Sequence, residues 1–97
     1  MTIGQKIKEL RETNKMLQRQ LASQLEVGDG FLSKVERNQK QLKKEDLRKL
    51  SEIFNYSYVE LKTLWLASKL YDVIKYENEG LEALKVCEQQ ITYKINK

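Results

Sequence analysis

Apolar residues recur three and four apart in six successive stretches of this chain, with short polar breaks between them. The first stripe is Ile3, Ile7 and Leu10, while Lys8, Glu9 and Glu12 fall toward the polar side. Thr2 followed by Gln5 forms the T-x-x-Q pattern of a capping box, so a helix starts after Thr2 and stops near Asn14. A second helix is expected over about residues 18 to 26, with Leu21, Ala22 and Leu25 inward. The small Ala22 lets two helices approach closely where they cross. Gly28 and Gly30 break the pattern. A third helix follows over about 29 to 37, with Leu32, Val35 and Phe31 as its apolar residues, and Asn38 ends it by adopting a left-handed conformation. After a polar connector, 40 to 44, a fourth helix reaches about residue 55 on the stripe Leu47, Leu50, Ile53 and Phe54. Ser57-Tyr58-Val59-Glu60 is a second capping box. It opens a fifth helix whose apolar pattern runs from Val59 to Ile74 or Tyr76, about 18 residues and about 27 Å. Asn78 caps a last helix over about 79 to 93, with Leu81, Leu84, Cys87 and Ile91 along one side. With no proline in the chain, every break rests on Gly, Asn, Asp or Ser. The fold class is all-α.

Composition narrows what such a chain can do. It has 97 residues, which suits one small domain with an appendage. No window is apolar for a membrane span, and the N-terminal segment lacks the apolar core and cleavage site of a signal peptide. The single cysteine, Cys87, forms no internal disulfide and fits a reducing cytoplasm. With no histidine there is no Ser-His or Cys-His nucleophile pair and no His-containing metal site; one cysteine makes no metal cluster. No glycine loop cradles a phosphate. The chain reads as a binding protein without cofactor or metal, not an enzyme.

The net charge of +4 is unevenly placed. Residues 1 to 56 hold 12 Lys and Arg against 8 Asp and Glu, whereas from residue 57 onward 6 lysines balance 6 acids. A polyanion is therefore drawn to the first part and not to the tail. A solvated lysine-rich surface is the plain alternative, and charge alone does not decide against it.

The decisive pattern lies in the residues themselves. Ile7-x-x-Leu10-Arg11, then Gln18-x-x-Leu21-Ala22, then Val27, Leu32-Ser33-Lys34-Val35-Glu36-Arg37, Leu47-x-x-Leu50-x-x-Ile53-Phe54 and Tyr58-Val59-Glu60-Leu61 follow one another at fixed spacing. From Ile3 to about Leu64 the chain resembles the Cro/C1-type, or XRE-type, helix-turn-helix family. The resemblance implies a five-helix lambda-repressor-like domain over residues 1–64, in which the second helix crosses the phosphate backbone and the third enters the major groove. It also implies a restriction-modification controller-like regulator among the candidate relatives. By correspondence, Gln18 binds phosphate with Arg19 beside it. Asp29, Gly30, Phe31, Ser33 and Lys34 are reading positions, with Arg37 close behind. Asn38, Gln39, Lys40 and Lys43 are phosphate contacts. Arg11 and Glu36 form an internal salt bridge that orients the third helix.

Three departures from the family fall at the groove-entering tip and the preceding helix. Gly28 stands where Ser or Thr usually caps the third helix, Gly30 brings no side chain, and Leu17 replaces the usual cap of the second helix. Asp29 either caps the third helix or accepts from cytosine N4, and Phe31 either meets a thymine methyl or packs inward.

Residues 65–97 lie beyond the common motif. Apolar residues cover more than one face of the fifth helix, and a short chain completes such burial by self-association. Trp65, Leu66, Leu70, Val73, Leu84 and Ile91 are the candidate dimerisation residues; a hairpin folded back on the core is the alternative. The expectation is a homodimeric regulator, a repressor or autoregulator, on a palindromic double-stranded DNA operator. It is expected in the cytoplasm at the nucleoid. The rival is an antitoxin-type module whose last helices bind a partner protein.

Overall fold

Thr2 Oγ1 accepts from the Gln5 N–H at 3.1 Å while Gln5 Oε1 accepts from the Thr2 N–H at 2.9 Å, and this reciprocal cap starts the first helix. The computed structural model describes residues 1–96, and among them the only regular elements are six helices. They are α1 (Ile3–Thr13), α2 (Gln18–Leu25), α3 (Asp29–Glu36), α4 (Lys44–Phe54), α5 (Tyr58–Ile74) and α6 (Gly80–Ile95). The fold is all-α, a helix-turn-helix domain followed by a further C-terminal helix.

The inward stripes meet in one core: Ile3, Ile7, Leu21, Ala22, Leu25, Leu32, Val35, Leu42, Leu47, Leu50 and Leu61. In it α1 packs on α3 and α5, α2 on α3 and α4, and α4 on α5. Ala22 is fully buried. Leu42 corrects the polar reading of 40–44, for it is only 4 % exposed and seals the core between α3 and α4. An isolated leucine in a basic run carries no periodicity, which is why its burial was not legible.

The breaks between helices also differ from expectation. Neither Gly28 nor Gly30 has a positive φ; Gly28 is the extended residue before α3. The turn is made instead by Glu26, which takes the left-handed conformation at φ 59° and ends α2 one residue early. Val27 N–H reaches Ala22 O and Glu26 N–H reaches Ser23 O, the paired bonds of a Schellman ending. Lys15, Asn38 and Asn55 take the same conformation after α1, α3 and α4.

Ser57 Oγ accepts from the Glu60 N–H, so the cap of α5 is where its sequence put it. Asn78 does not cap α6. Glu79 precedes that helix without a side-chain bond, and α6 starts at Gly80, which is buried against Ile74. α5 runs unbroken through positions 64 and 65, so the boundary expected there falls inside a helix.

The molecule measures 44 × 30 × 21 Å with a radius of gyration of 15.4 Å. A compact chain of this length has about 12.5 Å. The excess comes from α6: Leu84 and Cys87 are partly covered, but every residue from Glu88 to Asn96 is exposed. No helix of the described residues is long and apolar enough to cross a membrane.

Candidate nucleic-acid interface

α3 has two unlike sides. Leu32, Val35 and Glu36 are buried, whereas Asp29, Gly30, Lys34 and Arg37 are exposed and Ser33 is half-buried. Positions 30, 33, 34 and 37 fall on one helical face, so the sequence itself sets the outward row. Arg37 donates to Ser33 Oγ at 3.0 Å and makes a long contact to Gln39 Oε1 at 3.5 Å, which leaves Lys34 as the outward cation of α3 with no bond partner among the described residues.

The back of α3 is braced by charge. Arg11 Nε donates to Glu36 Oε2 at 2.7 Å and Arg11 Nη2 to Glu36 Oε1 at 3.0 Å. Arg11 Nη1 donates to Met16 O at 2.9 Å. The side chains are 11 % and 3 % exposed. The hydrogen bond to Glu36 raises the pKa of Arg11 above its ordinary value, against the opposing effect of burial. Gln18 joins the same carboxylate, its Nε2 donating to Glu36 Oε1 at 2.9 Å. One amide hydrogen of Gln18 is therefore spent internally. The other, with the first-turn N–H groups of α2 that no helix satisfies within itself, is what remains for an anion.

At the tip, Gly28 offers no side chain to cap α3, and a Cβ at Gly28 or Gly30 would meet open space. Asp29 is the first residue of α3 and not its cap; its charge lies at the favourable end of the helix dipole. Phe31 is half-buried and packed on the core. Beside them a cleft is lined by Val27, Gly28, Phe31, Lys43, Asp46 and Lys49. It brings Lys49 to the tip, a residue outside the expected contacts, whose only signal was the basic excess of residues 1 to 56.

The segment after α3 is held at several points. Asn38 Oδ1 accepts from the Gly4 N–H at 3.2 Å, so its side chain ties α3 to the start of α1. Gly4 itself was not singled out by any pattern. A Cβ there would lie 2.5 Å from Val35 O, 2.6 Å from Asn38 Oδ1 and 2.7 Å from Glu36 O. Gln39, Lys40 and Lys43 are exposed, as is Arg19 on α2. Arg19 shares an open concavity with Lys15, Gln20, Ser23 and Gln24, away from the α3 tip in the chain.

In the tail, Leu66, Leu70, Val73 and Ile91 are exposed and Leu84 is half-covered beside Ala67, Leu70 and Ile74. Trp65 is different from its expected partners. It packs on the core and its indole N–H donates to Leu42 O at 2.9 Å, because α5 turns that face inward. No group of three or more His, Cys, Asp or Glu able to hold a metal occurs among the described residues.

A family model described as a helix-turn-helix domain matches residues 4–65. No curated protein matches the chain, and no solved structure does.

Proposed function

This chain belongs to the helix-turn-helix family of Cro/C1 (XRE-like) type, and on that premise we propose that it is a sequence-specific transcriptional regulator acting as a homodimer on a palindromic operator. DNA binding in general follows from the family. The observation that carries the finer reading is the two-sided α3, whose outward row Gly30, Ser33, Lys34 and Arg37 is backed by the bonds of half-buried Arg11 and Gln18 to buried Glu36. A rigid back and a polar front suit a helix that reads base edges. Lys34 donates to guanine O6 and N7 or to a phosphate, Arg37 acts beside it, and Asp29, Gly30, Phe31 and Ser33 meet the groove with short or flat surfaces. Gln18, Arg19, Gln39, Lys40 and Lys43 bind phosphates on either side, and Asn38 is left one amide group to add.

The protein binds and does not catalyse. Its default mechanism is repression by occupying a promoter, including its own, in the manner of a compact local autoregulator of restriction-modification-controller type. Its place is the cytoplasm, at the nucleoid. Residues 65–97 supply the pairing that sets two α3 helices about 34 Å apart, one helical turn of DNA.

Selection of bound sequences from a random duplex pool tests the reading. A palindromic consensus with half-sites about one turn apart is expected. Lys34→Ala should then weaken specific binding by roughly 1–3 kcal/mol and relax one position of each half-site. A pool that yields no enriched sequence would sink the proposal. The exposed apolar run Ile91, Tyr93 and Ile95 favours a second reading, in which α6 captures a partner protein as antitoxins do. A purified chain that stays monomeric at micromolar concentration would favour it.

A further inference from the structure

We infer that Gln41 and Trp65 are positioning residues for DNA binding: they strap the segment between α3 and α4 onto α5 so that Lys40 and Lys43 are presented to phosphates. The inference rests on the DNA-binding reading above, and it assigns a part to two side chains that touch no DNA.

The strap is visible in the hydrogen bonds. Gln41 Nε2 donates to Ser68 Oγ at 3.0 Å and to Asp72 Oδ2 at 3.1 Å. One residue on, Leu42 is buried and its carbonyl accepts from the Trp65 indole N–H at 2.9 Å. The segment therefore alternates. Lys40 faces water, Gln41 and Leu42 are turned in and bonded to α5, and Lys43 faces water again. A lysine held this way loses less freedom on binding than one on a loose loop, since the backbone is already placed.

One detail shows that the two donor bonds set the orientation of Gln41. Its Oε1 is buried with no partner among the described residues. Turning the amide over would aim that oxygen at the Asp72 carboxylate, acceptor against acceptor, so the group is fixed with its donors toward α5.

The experiment measures binding of a fluorescein-labelled random-sequence duplex of about 30 bp by the full chain between about 50 and 200 mM KCl, where phosphate contacts dominate. The readout is the slope of log Kobs against log salt. Removing two lysine contacts in the variant Lys40→Ala with Lys43→Ala should flatten the slope by about two. Gln41→Leu and Trp65→Phe should each lose a comparable part of it with both lysines intact. Adding the lysine changes to Gln41→Leu should then flatten the slope little further. Ser68 is half-buried and Asp72 exposed, so water replaces the lost donor in Gln41→Leu and its thermal midpoint should stay near the parent's; it keeps the test valid if Trp65→Phe folds poorly. Wild-type slopes in both anchor variants, or losses that add fully to those of the lysine pair, would overturn the inference. A lysine pair without effect in a parent that binds overturns it too and leaves the DNA-binding reading standing. A parent that binds no duplex removes both.

Discussion

Glu36 shows how one side chain couples three helices. It takes two bonds from Arg11 on α1 and one from Gln18 on α2, at only 6 % exposure. Glu36→Gln leaves the Arg11 guanidinium nearly buried without its counter-charge, so a loss of roughly 3–5 kcal/mol is expected in urea denaturation. A change under about 1 kcal/mol would mean that water already screens the pair. Gly4 carries a different constraint, steric and not electrostatic. Gly4→Ala drives a methyl against two backbone carbonyls and should cost about 1–3 kcal/mol, although alanine is the better helix former. Gly30→Ala, where the same methyl meets open space, makes the contrast: a gain of roughly 0.5–1 kcal/mol is expected from the helix term. Equal effects at the two glycines would refute this account.

At the scale of elements, the starts and stops of the helices obey different chemistry. Starts at Thr2 and Ser57 are side-chain caps and are written in the sequence. The stops after α1 to α4 use left-handed Lys15, Glu26, Asn38 and Asn55, and no glycine. Asparagine tolerates that region well; lysine and glutamate bear a steric cost of about 1–2 kcal/mol there. Glu26→Gly should therefore raise stability by about 1 kcal/mol in thermal or urea unfolding, with α3 unmoved as judged by its amide chemical shifts. A loss would imply that the Glu26 side chain stabilises the turn in a way its exposed position does not suggest.

For the whole molecule, the question is what covers the tail. Leu66, Leu70, Tyr71 and Val73 on α5, with Ile91, Tyr93 and Ile95 on α6, are each 46–76 % exposed. Leu66, Leu70 and Val73 share one side of α5 by their helical spacing, and an exposed apolar stripe of this kind marks an interaction site. In the proposed homodimer it meets its own copy, and the zero net charge from residue 57 onward raises no repulsion against that. Leu70→Glu with Val73→Glu should weaken the dimer roughly 100-fold or more, because carboxylates would be desolvated at its centre, while the exposed positions leave the monomer fold intact. Sedimentation equilibrium reads the outcome, and a dimer of unchanged affinity would exclude this face. The same variant should bind operator DNA with the shallow dependence of a single half-site.

What the sequence determined by itself is local or periodic. The helical stripes, the caps at Thr2 and Ser57, the αL residue Asn38 and the uneven charge are properties of neighbours along the chain, and they sufficed for an all-α protein; the helix-turn-helix reading came from the resemblance carried by the spaced motifs between Ile7 and Leu61. The outward row of α3 was legible for the same reason, since a helix with Leu32 and Val35 inward must turn Gly30, Lys34 and Arg37 out. Only the tertiary structure decided the rest. That Leu42 is core, that Gly4 is wedged under α3, that Gln18 gives one hydrogen to Glu36 and that Trp65 faces inward are contacts between residues 18 to 34 positions apart. No period along the chain encodes them. They exist because α1, α2, α3 and α5 converge on one small core, where polar groups at its edge meet partners from other helices.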